Sequence, residues 1–193
     1  MRTMYWFNEP INWQPEGDSL TMNVTPKTDY WRKTHYGFTV DDGPFYYCEV
    51  GGEFETKVKI SADFRNRYDQ LGLMLRIDQN TWIKTGIEYV NDKINVSAVV
   101  THNTSDWSVT ELDDMPEFLW FKAIRQLDSV EIFFSRDDVN YSMIRLAHFP
   151  DNIPVKVGLM AACPDGDGFE AKFEHFQFTH LPDSRRLKWL EQN

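Results

Sequence analysis

The sequence has no long hydrophobic run and no excess of positive charge. No apolar segment approaches the roughly 20 residues that a transmembrane helix needs. Lys and Arg together number 20 against 30 Asp and Glu, and the resulting formal net charge of −10 is the wrong sign for neutralising phosphates or anionic lipids. We therefore expect neither a nucleic-acid partner nor a membrane partner.

The first ten residues lack the continuous apolar stretch that defines a signal peptide. Trp6, Asn8 and Glu9 lie where that stretch would have to be. Unless a leader has been removed, the expected location is therefore cytoplasmic.

Cysteine is scarce, with only Cys48 and Cys163 in 193 residues. A chain of this length can bury a sufficient core without a disulfide, so both are expected to be buried thiols. The five histidines lack the spacing of a zinc site, and no glycine-rich phosphate loop precedes a helix. The acidic segments at 113–114 and 165–168 lack the ordered ligand spacing of a calcium loop. No metal and no cofactor is therefore expected.

Helical periodicity is almost absent, and apolar and polar residues alternate from about residue 45 to residue 179. A period of two is typical of an antiparallel sandwich or barrel. Polar turns separate nine clear strand candidates, at 54–62, 71–77, 82–90, 94–102, 118–125, 130–135, 141–147, 155–163 and 169–179. Weaker strands are predicted at 12–13, 20–25 and 36–40, and a short C-terminal helix or frayed tail at 184–192.

So many strands in one chain of this length can bury their apolar faces only by stacking two sheets. We therefore predict an all-β fold, a two-sheet antiparallel jelly-roll sandwich. It forms a single domain over 1–193, with a core of about 6–180 and a C-terminal tail at 181–193. The side chains predicted to face the core are Leu71, Leu73, Leu75, Ile77, Ile83, Ile87, Tyr89, Ile94, Val96, Ala98 and Val100.

The opposite face of the three central strands combines charge, hydroxyl groups and missing side chains. Alternation places Arg76, Lys84 and Glu88 on it, together with Gly72 and Gly86. Because glycine inside a strand often marks close approach to the backbone, we predict a shallow groove that leaves room for a ligand. Converging donors and acceptors of this kind suit sugar hydroxyls. The alternative is the ordinary solvated face of an antiparallel sheet, where charges pair weakly.

Three tryptophans lie at predicted strand ends or in loops beside polar residues. They are Trp31, Trp82 and Trp107. Exposed rings in such places serve as platforms for sugar faces. The alternative is that these rings cover the edge of the core.

Catalytic motifs are largely missing. A retaining glycosidase needs two carboxyl groups about 5–5.5 Å apart. The carboxylates that share a strand face, Glu53 with Glu55 and Glu170 with Glu174, have lysines on the same face and are better explained as solvated pairs. Glu88 has no carboxylate two residues away. The sequence therefore assigns no catalytic residue.

Several separated motifs make the central region more specific than its composition. They are DQLGLMLR (69–76), WIKTGIEY (82–89), VVT (99–101), SDWS (105–108) and the flanking DYWR (29–32), SRDD (135–138) and VGLMAACP (157–164). In this order they resemble the signature of a concanavalin A-like family of unknown function that is commonly labelled "regulation of enolase". The similarity spans about residues 6–179.

The resemblance implies a concanavalin A-like jelly roll and a cytoplasmic protein linked to control of enolase during galactose metabolism, with no assigned catalytic activity. Cys163 stands where the family often has Ser, and Asp138 stands where Gly is usual. The signature residues largely coincide with the non-core face: Asp69, Gln70, Met74, Arg76, Lys84, Glu88, Thr101, Asp106 and Trp107.

Our first hypothesis is a non-enzymatic cytoplasmic module that binds a carbohydrate or small polar metabolite on its concave sheet face. In it Arg76 and Lys84 donate hydrogen bonds, Glu88 accepts them, and the aromatic walls are Tyr30, Trp31 and Trp107.

Two further hypotheses come from other functional classes. One is a regulatory or scaffold protein whose sheet face binds a protein partner. The other is a glycan-active hydrolase in which Glu88 acts with Asp69 or Asp106.

Overall fold

The computed structural model describes residues 3–192, apart from the side chain of Arg186, and its regular secondary structure is almost entirely strand. The strands are β1 (Tyr5–Phe7), β2 (Trp13–Glu16), β3 (Ser19–Asn23), β4 (Tyr30–Arg32), β5 (Thr39–Asp41), β6 (Phe45–Val50), β7 (Phe54–Ala62), β8 (Gln70–Arg76), β9 (Thr81–Val90), β10 (Lys93–His102), β11 (Thr104–Glu111), β12 (Leu119–Gln126), β13 (Ser129–Ser135), β14 (Tyr141–His148), β15 (Val155–Ala162) and β16 (Glu170–His180). A helix, α1 (Ser184–Gln192), follows them. Within the described residues, no helix has the length and apolar character needed to cross a bilayer.

Two antiparallel sheets of seven strands each form the sandwich. The first sheet has the order β1-β6-β15-β8-β9-β10-β11, and the second has the order β14-β13-β12-β7-β16-β3-β2. β4 and β5 pair with each other as a separate hairpin. The predicted two-sheet sandwich and the predicted C-terminal helix are both confirmed.

The core lies between the sheets and uses the face that alternation predicts. Leu71, Leu73 and Leu75 of β8 are each at most 1% exposed and belong to one buried cluster with Val58 and Phe121 of the second sheet. The strands of the first sheet are held in register by the pairs Leu73–Thr85 and Thr85–Ala98. This register fixes which side chains point outward on β8, β9 and β10.

The nine clear strand candidates are confirmed with boundaries within one residue of the predicted ones. The sequence pattern did not predict β1, β4, β6 and β11. The prediction that Trp107 lies at a strand end or in a loop was also wrong, because Asp106 and Trp107 lie within β11, which pairs with β10. β11 is an edge strand with mostly exposed or half-buried side chains, so it shows no apolar alternation for a sequence pattern to detect.

Residues 29–43 lie across the outer face of the first sheet and bury part of it. Tyr30 and Trp31 pack there with Met74 of β8 and Trp82 of β9 in a second apolar cluster. Trp82 is 1% exposed, so the prediction that it is an exposed platform at a strand end was wrong. The outer face is therefore covered along part of its length by this segment, which we call the cover hairpin (residues 29–43).

The two strand glycines serve the sheet itself. A Cβ on Gly72 would overlap the carbonyl oxygen of Thr85 and lie 2.6 Å from the Cα of Gly86. A Cβ on Gly86 would overlap the carbonyl oxygen of Leu71 in the same way. Gly72 and Gly86 are paired in register, so they allow β8 and β9 to approach each other. The prediction that they leave room for a ligand was wrong.

Candidate functional site

An open cleft of about 40 Å³ lies between the tip of the cover hairpin and the outer face of the first sheet. Its polar lining consists of Asp29, Gln70, Lys84 and Glu88, and its aromatic lining consists of Trp31, Tyr36, Phe38, Tyr68 and Trp107. Five of these nine were predicted site residues: Trp31, Gln70, Lys84, Glu88 and Trp107. The structure therefore brings part of the predicted set together in one place.

Glu88 is the most enclosed carboxylate of the cleft, with 7% of its surface exposed. Its Oε2 accepts hydrogen bonds from the Ser97 hydroxyl and the Trp107 indole N–H, both at 2.9 Å. Burial raises the pKa of Glu88, and the nearby Lys84 ammonium and the two hydrogen bonds oppose that rise only in part. Its other oxygen, Oε1, accepts no hydrogen bond from the described residues.

Lys84 fixes the floor of the cleft beside Glu88. Its ammonium donates to the Gln70 side-chain oxygen and lies 3.6 Å from Oδ1 of Asp29. The Gln70 amide in turn donates to the backbone oxygen of Tyr68 at 3.1 Å and to Asp29 Oδ1 at 3.4 Å. These bonds join β8, β9 and the start of the cover hairpin, so the polar floor is held in a defined arrangement.

Aromatic rings from the cover hairpin form one wall. The ring of Tyr36 stands edge-on to that of Trp31 at 71° and stacks on that of Phe38 at 24°. Tyr36 and Phe38 are 49% and 44% exposed. Trp107 of β11 is half-buried and lines the same cleft. Partly exposed rings around a polar floor can contact the C–H face of a sugar ring.

Three predicted site residues, Arg76, Met74 and Tyr30, lie where the cover hairpin meets the sheet and do not line the cleft. Arg76 makes two hydrogen bonds to Asp41 of β5, at 2.5 and 2.6 Å, and its guanidinium lies 4.7 Å from the ring centroid of Phe7. Met74 and Tyr30 are fully buried. The Tyr30 hydroxyl donates to the carbonyl of Gly43, and burial raises its pKa. These three hold the cover hairpin against the sheet.

Asp69 and Thr101 are fully buried and Asp106 is exposed, and none of the three lines the cleft. Asp69 accepts hydrogen bonds from the backbone of Arg65 and from the Cys163 thiol. Asp106 forms an ion pair with Arg145 at 3.1 Å. The predicted convergence of these residues with Glu88 was wrong, because each is committed to a contact outside the cleft.

The Thr101 hydroxyl is hydrogen-bonded to that of Ser105 at 2.9 Å, and Ser105 Oγ accepts from the backbone N–H of Arg32. Thr101 therefore helps to anchor β4 on the sheet. It supports the position of Trp31 without facing the cleft.

Four residues of the cleft were not predicted from the sequence: Asp29, Tyr36, Phe38 and Tyr68. Tyr36 and Phe38 lie two apart at the predicted weak strand 36–40, so the alternation did hint that both rings share a face. Asp29 belongs to the motif DYWR, but its side chain reaches Lys84 only because the hairpin folds back over the sheet.

Neither the cleft nor any other part of residues 3–192 contains three or more His, Cys, Asp or Glu side chains placed to hold a metal ion. Both cysteines are buried, and they are not joined in a disulfide. The Cys163 thiol donates to Asp69 Oδ1 at 3.1 Å, and burial raises its pKa to about 11.

Comparison with known proteins identifies the family. The model of the family described as "Protein of unknown function (DUF1349)" matches residues 6–181. The chain belongs to the DUF1349 family. A relative, "Regulation of enolase protein 1" of Saccharomyces cerevisiae, is 34% identical over 174 residues, which cover 90% of this chain and 88% of the relative. The predicted resemblance to the regulation-of-enolase group is thus confirmed.

Solved structures show how widely this DUF1349 fold recurs. A functionally unknown protein from Saccharomyces cerevisiae has a TM-score of 0.89 at 33% identity, covering 93% of this chain and 97% of that one. A GH43 protein from Bacillus licheniformis has a TM-score of 0.73 at 13% identity, with 92% of this chain and 37% of that one covered. The carbohydrate-binding module CBM66 from Bacillus subtilis has a TM-score of 0.57 at 13% identity, with 92% and 98% covered. At 13% identity the likeness concerns the fold alone.

Proposed function

We propose that this protein is a non-enzymatic cytoplasmic binding module that takes a carbohydrate or small polar metabolite in the cleft between the cover hairpin and the first sheet. The observation that carries the proposal is the state of Glu88. One carboxylate oxygen is engaged by Ser97 and Trp107, and the other is available at the bottom of an aromatic-walled cleft. A hydroxyl group of a ligand can donate to this oxygen.

The size of the cleft limits how a ligand enters. About 40 Å³ holds a few water molecules, so only one edge of a sugar ring reaches Glu88, and the rest lies against Tyr36, Phe38 and Trp107. Such a site buries little area and must displace bound water, so the affinity is weak. In this mode of binding, Lys84 holds the polar floor of the cleft in place. Arg76 does not contact the ligand and instead supports the cover hairpin.

The test is to titrate the full chain with a panel of neutral monosaccharides and disaccharides. Binding is measured by tryptophan fluorescence and by calorimetry. We expect at least one sugar to perturb the emission of Trp31 and Trp107. Glu88→Ala should abolish binding, and Phe38→Leu should weaken it about fivefold through the lost ring contact. Tyr5→Leu is the matched control, because Tyr5 is 55% exposed on a strand that does not line the cleft. A panel with no binder, or binding that survives Glu88→Ala, would refute the proposal.

The relative called "Regulation of enolase protein 1" supports a regulatory extension. In this extension, a ligand bound in the cleft alters the affinity of the chain for a protein partner, and enolase is the first candidate partner. Purified enolase should be retained by the immobilised chain, and a sugar that binds the cleft should change the amount retained. Enolase that is not retained at micromolar concentrations with or without that sugar would remove this extension and leave the binding proposal standing.

A second candidate, hydrolysis of a glycan, is favoured by one observation. Asp29 lines the same cleft as Glu88, so a second carboxylate is present, although it is neither Asp69 nor Asp106. Glu88 with its raised pKa suits a general acid, and Asp29 is held beside Lys84. Release of nitrophenol from aryl glycosides that is lost in both Glu88→Gln and Asp29→Asn would establish this candidate. If the wild-type protein releases no more nitrophenol than the double variant does, this candidate is dismissed.

A further inference from the structure

A second depression, wider than the cleft, lies at the edge of the sandwich. It is formed by the end of β3, the start of β16 and the loop residues that adjoin them. It encloses about 370 Å³, within the range of small-molecule sites. None of its residues belongs to the cleft described above. We call it the edge groove, and its polar lining includes Asn12, Asn23, Arg65 and Glu170.

Strand register places three of these polar side chains in a row. Asn23 of β3 is the register partner of Glu170 of β16, so their side chains project on the same face. The backbone N–H of Asn23 donates to the carbonyl of Asn12 at 3.0 Å, which brings Asn12 alongside. Because neighbouring strands lie about 4.8 Å apart, the row extends over about 10 Å. It thus presents two carboxamides and a carboxylate along one line.

The two carboxamides in this row are not used by the protein itself. The side chains of Asn12 and Asn23 make no hydrogen bond to any of the described residues. Glu170 forms no ion pair within 4 Å among them, although its charge interacts with that of the Arg65 guanidinium. Arg65, at one end, already donates to Asp63 at 2.6 and 3.0 Å. Carboxamides offer both donors and acceptors, so this arrangement suits hydroxyl groups better than a single charge.

The apolar part of the edge groove complements the polar row. Ile11 is 94% exposed on its wall, and Phe169 and Val24 form a buried base. Apolar contact on one side and hydrogen-bonding groups on the other match the two kinds of surface that a sugar ring presents. The charges nearby are balanced by local pairs, Arg65 with Asp63 and Asp167 with Lys27, and Glu170 disfavours an anion.

We infer that the edge groove is a second binding site, separate from the cleft, for a neutral hydroxyl-rich ligand such as a monosaccharide or a short oligosaccharide. Asn12, Asn23 and Glu170 bind its hydroxyl groups, and Ile11 contacts its C–H face. The volume accommodates a whole ring, whereas the cleft accommodates an edge. The inference does not depend on the proposed role of Glu88.

Nuclear magnetic resonance of the ¹⁵N-labelled full chain tests both sites in one experiment. Glucose, galactose, xylose, cellobiose and xylobiose are each added up to about 50 mM, above the millimolar Kd of a weak site. The side-chain amides of Asn12 and Asn23 report on the edge groove, and the indole N–H of Trp107 reports on the cleft. We expect saturable shifts of the two amides with at least one sugar.

Variants separate a built site from incidental contact. Asn23→Ala should weaken binding at the edge groove about fivefold to tenfold through the loss of one hydrogen bond. Glu170→Gln should weaken it about fivefold, because a neutral amide oxygen accepts a weaker hydrogen bond than a carboxylate does. Gln14→Ala is the matched control, since Gln14 is an exposed carboxamide on the neighbouring strand that does not line the groove. Glu170→Gln preserves shape and keeps the test decisive if Asn23→Ala disturbs the fold.

The outcomes distinguish the two proposals. Shifts confined to Trp107 would overturn the edge-groove inference and leave the proposed function intact. Saturable shifts at the Asn12 and Asn23 amides would establish it, whatever Trp107 does, provided that binding weakens in both variants and persists in Gln14→Ala. In Asn23→Ala the binding is read at the Asn12 amide alone. Shifts that neither variant changes would also overturn it, because the named side chains would then not bind the ligand.

Discussion

Arg76 of β8 and Asp41 of β5 form a two-point ion pair that fastens the cover hairpin to the first sheet. The two hydrogen bonds measure 2.5 and 2.6 Å, and the side chain of Arg76 is only 6% exposed against 25% for Asp41. This pair explains why Arg76 does not reach the cleft. It also makes the position of the hairpin depend on one buried cation and its partner.

Removal of Asp41 tests this dependence. In Asp41→Asn the Arg76 guanidinium stays buried without its charged partner, so the free energy of unfolding should fall by about 2–4 kcal/mol. Chemical denaturation measures the fall, and hydrogen exchange should show faster exchange within residues 29–43. The control is Glu111→Gln, which breaks the exposed Lys93–Glu111 pair and should cost less than about 0.5 kcal/mol. Equal losses in the two variants would contradict the role given to Arg76.

The buried Glu88 predicts a pH dependence of stability. Its pKa is raised in the folded protein by desolvation, and the groups that face it are Lys84, Asp29, Ser97, Trp107 and Tyr36. A raised carboxyl pKa contributes stability that is complete below the unfolded pKa of about 4.5 and is lost as pH rises through the folded pKa. Glu88→Gln does not titrate, so it should gain stability relative to the wild type as the pH rises from about 4.5 through the folded pKa of Glu88.

The gain should be about 1.4 kcal/mol for each unit by which the folded pKa exceeds the unfolded one. Urea denaturation of both proteins at several pH values measures it. A difference in unfolding free energy that stays constant across this range, or that changes in the opposite direction, would show that burial does not govern this carboxyl group.

The close approach of Gly72 and Gly86 predicts that Gly86, in the middle of β9, does not tolerate a larger side chain. Gly86→Ala inserts a methyl group against the carbonyl oxygen of Leu71, which belongs to the backbone and cannot move aside. We expect a loss of more than about 3 kcal/mol in unfolding free energy, or failure to fold. Gly51→Ala is the control, because a Cβ there meets no atom within 4 Å. A Gly86→Ala protein as stable as Gly51→Ala would disprove the close approach of the two strands.

Cys163 is expected to resist alkylation in the folded protein. It is fully buried and its pKa is raised to about 11, so only about one thiol in a thousand is ionised at pH 8. Mass spectrometry after iodoacetamide treatment should find Cys163 unmodified under native conditions and modified in urea. Cys163→Ser keeps a donor to Asp69 and should remain folded, whereas rapid native labelling would show that the strand end near Asp69 opens.

The central sheet could be predicted from the sequence because its signal is local. β8, β9 and β10 alternate over seven to ten residues, and one register decides every side chain along them. The cover hairpin gives no such signal. β4 and β5 have three residues each. What holds them to the sheet is long-range contact, such as the ion pair of Arg76 with Asp41 and the packing of Tyr30 against Met74.

The candidate site was predicted in part for the same reason. Alternation placed Lys84 and Glu88 on one face of β9, and the structure confirms that both line the cleft. It could not show that Arg76, on the same face, would be taken by Asp41 from 35 residues away. Nor could it show that Tyr36 and Phe38 would reach this face, because that depends on the chain folding back over the sheet.

The tip of the cover hairpin, residues 33–38, is exposed throughout and yet supplies two rings of the cleft wall. Two backbone hydrogen bonds shape this tip: the N–H of Lys33 donates to the carbonyl of Phe38, and the N–H of Gly37 donates to the carbonyl of Lys33. Arg76 and Tyr30 hold the base of the hairpin in place. Under the proposed function, selectivity and foldability belong to different stretches of chain. Substitutions among these six surface residues should then change which ligand the cleft accepts, at little cost to the stability of the sandwich beneath.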